Sequence, residues 1–151
     1  MTSHAEIVHS VLIVDDNEEL IGSLSFALRT LGSFHIDVAS DGAQGLAKAV
    51  ALHPDCMVID VKMPQIDGLQ LVRALRGDPA TADIPLVILS ALVQEYDQAL
   101  GMYAGADQYL TKPAKPQVVI AAIRRAIALT SEERRGRLQE LALVDEEADE
   151  E

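Results

Sequence analysis

Val11-Leu12-Ile13-Val14-Asp15-Asp16-Asn17 is a short β-rich apolar run that stops on two acids and an amide. Leu20, Ile21, Leu24, Leu28 and Leu31 follow at helical spacing, and Gly32 supplies a stop. The stretch predicts a strand, a turn in which Asn17 caps the next element, and a helix whose positive end meets Glu18 and Glu19. Outward from it the same alternation recurs. Ile36 to Ala39 reads as a strand and Gly42 to Leu52 as a helix broken by Pro54. Cys56 to Ile59 is a third buried strand, after which Met63-Pro64 and Asp67-Gly68 signal a tight loop into a helix with Leu71, Val72 and Leu75 inward. Leu86 to Leu89 is a fourth strand, Gln94 to Ala104 a fourth helix ending at Gly105, and Gln108 to Thr111 a short fifth strand before Lys112-Pro113. The fifth helix carries Ile120, Ile123 and Ile127 on one face, with Pro116 in its first turn.

Five strands alternating with five helices, each strand a continuous apolar run, predict a doubly wound parallel sheet covered by helices on both faces. Ligands of such sheets bind beyond the carboxyl ends of the strands, where the winding reverses. The polar residues at those positions are Asp15 and Asp16 after the first strand, Asp60 after the third, Ser90 after the fourth and Lys112 after the fifth. Taken singly, each is an ordinary capping, turn or surface residue. Brought to one edge, three carboxylates would repel and raise one another's pKa unless a cation compensates. An all-oxygen set with open positions suits Mg²⁺, which stays partly hydrated and binds beside phosphate oxygens.

Composition narrows the class of function. With 151 residues, 49% of them hydrophobic, the chain can build one domain with a real core. Its apolar runs fall far short of the roughly 18 residues that span a bilayer. Residues 1–10 lack the basic and apolar regions of a secretory signal, so a cytoplasmic address is expected. The single cysteine, Cys56, sits in an apolar run and cannot form an internal disulfide, and the four histidines show no metal-ligand spacing. Net charge is −12, with 15 acids and 9 bases in residues 1–129 and 9 acids and 3 bases in residues 130–151. Direct binding to DNA is disfavoured by that balance.

Four segments carry a family resemblance: Val11 to Asn17; Val58-Ile59-Asp60-Val61-Lys62-Met63-Pro64 with Asp67-Gly68; Ile88-Leu89-Ser90-Ala91; and Gly105 through Pro113, Gly-Ala-Asp-Gln-Tyr-Leu-Thr-Lys-Pro. In that order and spacing, over about residues 10–129, they resemble the receiver domain of two-component response regulators. The resemblance implies a flavodoxin-like sheet in the order 2-1-3-4-5. It implies that Asp60 accepts a phosphoryl group from a histidine kinase, a histidine phosphotransfer protein or a small phosphodonor. Mg²⁺ would be held by Asp16, Asp60 and the backbone carbonyl of Lys62, with Asp15 acting through water. Lys112 would clamp one phosphoryl oxygen and Ser90 another, after which the aromatic at Tyr109 turns inward. The face built by the fourth helix, fifth strand and fifth helix is then the output surface, and through it two copies could pair. The Lys112-Pro113 bond is implied to be cis and Gly105 to have a positive φ. Lys62 and Leu92, two beyond Asp60 and Ser90, are neither acidic nor amide residues, so self-dephosphorylation is expected to be slow.

Beyond residue 129, Thr130-Ser131-Glu132-Glu133 reads as a capping box for a short further helix, and Asp145 to Glu151, six acids in seven residues, as a disordered solvated end. The division is an N-terminal segment 1–9, a receiver 10–129 and a tail 130–151. Nothing after residue 129 is long enough for a DNA-binding or catalytic domain, so the chain reads as a stand-alone switch working through protein partners and not as a turnover enzyme. A receiver cut from a larger hybrid protein would have the same sequence. An aspartate-based phosphohydrolase also uses acidic strand ends, Mg²⁺ and a lysine, but as a family places its two key acids two residues apart, whereas Asp15 and Asp16 are adjacent.

Overall fold

The computed structural model describes residues 7–63 and 67–149, so Pro64 in the expected loop, residues 1–6 of the N-terminal segment and the last two acids lie outside the described residues. The elements are β1 (Ser10–Val14), α1 (Glu18–Gly32), β2 (His35–Ala39), α2 (Gly42–Leu52), β3 (Cys56–Ile59), α3 (Gly68–Gly77), β4 (Leu86–Ser90), α4 (Glu95–Ala104), β5 (Gln108–Thr111), α5 (Pro116–Ala128) and α6 (Ser131–Asp149). All strand pairs are parallel and the order is β2-β1-β3-β4-β5.

Side chains alternate across the sheet and split the core into two layers. Leu12, Val14, Met57, Ile59, Leu86 and Ile88 point toward α2, α3 and α4, where Ala49, Leu71, Leu75 and Ala104 meet them. Val11, Ile13, Val58, Val87 and Leu89 point the other way, onto Leu24 and Leu28 of α1 and Val119 and Ile123 of α5. The three central strands are buried on both faces, as their unbroken apolar runs require. The edge strands differ: β2 leaves His35 and Val38 exposed and β5 is half-buried throughout, because an edge strand has fewer helices over it.

Caps fix where the helices begin. Asn17 Oδ1 accepts from Leu20 N–H, Asp41 Oδ1 from Gln44 N–H, and Asp67 forms a reciprocal box with Gln70. α3 starts unusually close to the chain that leaves β3. A Cβ on Gly68 would lie 2.2 Å from the Asp60 carbonyl oxygen and 2.6 Å from Val61 Cα. These are backbone atoms, so Gly68→Ala is expected to destabilise the domain by about 1–3 kcal/mol, read as a lower urea midpoint.

The C-terminal region departs from the sequence reading. The Thr130 cap of the expected box is present, with Glu133 N–H on Thr130 Oγ1 at 3.1 Å, while Glu133 Oε1 accepts from the Thr130 hydroxyl at 3.0 Å. The helix it opens is not short, however, and its backbone continues through Asp149, taking in acids expected to be disordered. Leu, Ala and Glu are strong helix formers, and no glycine or proline follows Gly136 to interrupt them. Among the described residues no helix is long and apolar enough to cross a membrane.

Candidate functional site

The winding reverses between β1 and β3, and their carboxyl ends deliver the acids there. Asp15 is 3% exposed; its N–H continues the sheet to Ala39 O, and its Oδ1 accepts from Asn17 N–H. Asp60 is 6% exposed, anchored by its N–H on Val14 O, and its Oδ1 accepts from Lys62 N–H at 3.2 Å. Asp16 is exposed at the rim. One carboxylate oxygen from each of Asp15, Asp16 and Asp60 lies within 4.8 Å of the other two.

Lys112 arrives from β5. Its Nζ is 3.1 Å from Asp15 Oδ2 and 3.3 Å from Asp60 Oδ2, so a single ammonium bridges the two buried acids. Its backbone N–H is bound to Ser90 O and its bond to Pro113 is cis. Burial pulls the Lys112 ammonium down, but the hydrogen bond to Asp15 and the charges of Asp60 and Asp15 outweigh it and raise its pKa. Asp60 is pushed above the ordinary carboxylate range, first by burial and then by the Asp15 charge, with Lys112 and the Lys62 amide offsetting only part of this.

That direction has a measurable consequence. With a raised native pKa, folded Asp60 keeps its proton where the unfolded chain has lost it, so stability falls as pH rises through that interval. Without divalent cations, Asp60→Asn is expected to melt above the parent at neutral pH. The gain should vanish at pH values below the ordinary carboxylate range, where Asp60 is protonated in both states. A variant melting below the parent at neutral pH would show that the site carries no such cost.

Three carboxylates against one ammonium leave the cluster net negative, and all its donors are oxygens. This donor set fits a hard divalent cation of the Mg²⁺ kind.

Ser90, fully buried at the end of β4, faces the same edge. Its Oγ accepts from Leu92 N–H at 3.1 Å, while the Leu92 carbonyl accepts from the Tyr109 hydroxyl at 2.8 Å. The expected switch residues thus meet at the backbone of Leu92, and the Ser90 hydroxyl also acts on the Tyr109 phenol. Tyr109 is already turned inward and half-buried: a Cβ on Gly101 would come within 2.7 Å of its ring. Burial raises its phenol pKa. Gly105 has φ 124°, the positive value expected at the end of α4.

One buried charge centre was missed. Asp107, 2% exposed at the start of β5, accepts from Leu86 N–H at 2.8 Å, from Arg76 Nη2 at 3.1 Å and from Arg134 Nε at 2.8 Å. Arg134 looks in the sequence like a polar interruption of an apolar face, yet it is 2% exposed. The only sequence signal was an acid placed directly before a strand.

The family model for the response regulator receiver domain matches residues 11–124, ending before α6. The DNA-binding dual master transcriptional regulator RpaA of Synechocystis is 38% identical over 120 residues, 80% of this chain and 49% of that protein. The alkaline phosphatase synthesis transcriptional regulatory protein PhoP of Bacillus subtilis is 37% identical over 114 residues, 76% of this chain and 46% of that one. The chain spans about half the length of the curated relatives it matches. Among solved structures, a response regulator from Chloroflexus aurantiacus superposes with TM-score 0.76 at 32% identity, covering 81% of this chain and 99% of its own. The receiver domain of the sensor histidine kinase PA1611 from Pseudomonas aeruginosa, with a magnesium ion coordinated in its active site cleft, superposes with TM-score 0.73 at 26% identity, over 80% and 98% of the two chains.

Proposed function

We propose that this chain, which belongs to the response regulator receiver domain family, is a phosphorylation-dependent switch whose acceptor is Asp60. The observation that carries this reading is the Lys112 ammonium shared between Asp15 and Asp60 in the reversal crevice. An Asp60 carboxylate oxygen attacks the phosphorus of a phosphohistidine or small phosphodonor in line, forming the acyl phosphate as the bond to the donor breaks. Lys112, already beside the acceptor, moves from the carboxylate onto a phosphoryl oxygen. Asp16, Asp60 and the Lys62 carbonyl would hold Mg²⁺ directly and Asp15 through water. When bound, the ion neutralises charge on the transferring group.

Readout begins at Ser90. Drawing its hydroxyl toward the phosphoryl group removes the acceptor of Leu92 N–H, and Leu92 in turn holds Tyr109. The pull reaches α4 and β5 through that loop, and the α4-β5-α5 face carries output to a protein partner or a second copy. The histidine kinase or phosphotransfer protein is the upstream partner, and the working location is the cytoplasm. The chain's charge argues against direct DNA contact by the receiver itself, and its role is that of a switch, not an enzyme of external substrates.

Leu92 is partly buried against the core and offers no polar group to orient water, and the Lys62 side chain is exposed near the acceptor. The phosphorylated protein is therefore expected to persist for minutes or longer at room temperature, followed as loss of the phosphoryl mass with time. Decay within seconds would contradict this. The reading as a whole is tested with acetyl phosphate and Mg²⁺. A mass gain of one phosphoryl group, labile to base and absent without the ion, is expected, and no gain would overturn it.

A further inference from the structure

We infer that α6 is an intramolecular cover for part of the outward face of α4, locked at its start onto the core and reaching α4 at Leu141, and that it must lift before a protein partner can take that part of the face. The lock is Arg134. Its Nε bonds Asp107 Oδ1 at 2.8 Å, Nη1 bonds Asp83 O at 3.0 Å and Nη2 bonds Ala126 O at 3.2 Å, joining α6 to β5, the loop before β4 and the end of α5. Arg137, one turn on, reaches the Asp107 carbonyl at 3.3 Å. Arg134, Arg137, Leu138 and Leu141 fall at helical spacing and are the buried or half-buried positions there, while Glu133, Arg135, Gly136, Gln139 and Glu140 are exposed. One face of α6 is thus turned to the domain.

What that face meets is apolar. Tyr96, Ala99, Leu100 and Tyr103 form the outward stripe of α4, and with Met102 they line a cleft of about 380 Å³ whose far side is Leu141. Tyr96 stays 69% exposed, so among the described residues the contact with α4 is partial where the Arg134 end is tight. Firm anchoring at one end and partial contact beyond it describe an element that swings from residues 129–131. Lifting would add Leu100 and Met102 to the already exposed Tyr96, Ala99 and Tyr103, completing an apolar stripe of a kind that marks protein interaction sites. Only the consequence for output rests on the α4-β5-α5 reading above; the covering itself does not.

Hydrogen exchange read by peptide mass on the full chain tests this, comparing the parent with Arg134→Met, Leu141→Asp and the exposed control Arg135→Ala. Amides of α6 over 134–141 and of α4 over 96–103 are expected to exchange about tenfold or more faster in Arg134→Met and Leu141→Asp, with β1, β3 and β4 unchanged and the control like the parent. Should Arg134→Met loosen the whole domain, Leu141→Asp decides, since it leaves the lock intact. Unprotected α6 amides in the parent, or α4 amides that stay slow when α6 is freed, would overturn the cover. Failure of acetyl phosphate to label the parent would count against the acceptor reading and leave these outcomes as they stand.

Discussion

Asp107→Leu is expected to cost about 3–5 kcal/mol and to be the most damaging single change outside the apolar core. Among the described residues the carboxylate is the one in direct ion-pair contact with both Arg76 and Arg134, whose side chains are 8% and 2% exposed. Removing it strands two buried guanidiniums and leaves Leu86 N–H without its acceptor. Each arginine keeps backbone carbonyls, Gly105, Ala82 and Ile84 for Arg76, Asp83 and Ala126 for Arg134, but none of these carries the neutralising charge. Asp107→Asn retains an acceptor oxygen and should lose less. Urea unfolding of both variants separates the cases, and equal small losses would mean that the node contributes little.

Lys112→Met is expected to lower the rate of phosphoryl uptake by about 100- to 1,000-fold while the fold survives. Among the described residues the ammonium is the one cation placed against both Asp15 and Asp60, and it stands where a phosphoryl oxygen on Asp60 would need charge compensation. Its loss also lets the two acids repel without a mediator, pushing Asp60 further toward its protonated, non-nucleophilic form. Lys112→Arg is no remedy, since a planar fork replaces a point charge that sits between two carboxylates. Uptake from acetyl phosphate with Mg²⁺, alongside circular dichroism for the fold, measures the effect. A rate within threefold of the parent, roughly the scatter expected of a neutral change, would remove Lys112 from the chemistry.

The parts of this protein that were legible in its sequence are those where local chemistry and global fold agree. The β1 run ends on Asp15 and Asp16 and is capped by Asn17, so strand, turn and helix could all be read from a few residues. The burial of β3 and β4 followed from unbroken apolar runs, and the convergence of Asp15, Asp60, Ser90 and Lys112 from the rule that parallel strands deliver their carboxyl ends to one edge. What was hidden depended on distant partners. Arg134 looks like any surface arginine until α6 folds back on Asp107, more than a helix away in sequence. The length of α6 was underestimated because its acids suggest solvation, whereas its backbone follows the helix preference of Leu, Ala and Glu. The Leu92 link between Ser90 and Tyr109 is made by backbone atoms, which every residue possesses and no pattern marks.

Phosphorylation at the Asp60 carboxylate, the acceptor proposed above, is located by chemical trapping. Protein treated with acetyl phosphate and Mg²⁺ is reduced with borohydride, which converts an aspartyl phosphate to homoserine, and the peptides are sequenced by mass spectrometry. Homoserine at position 60, and its disappearance in Asp60→Asn, is the predicted result. Homoserine at Asp15 or Asp16 in place of Asp60, or no conversion anywhere in the chain, would contradict it.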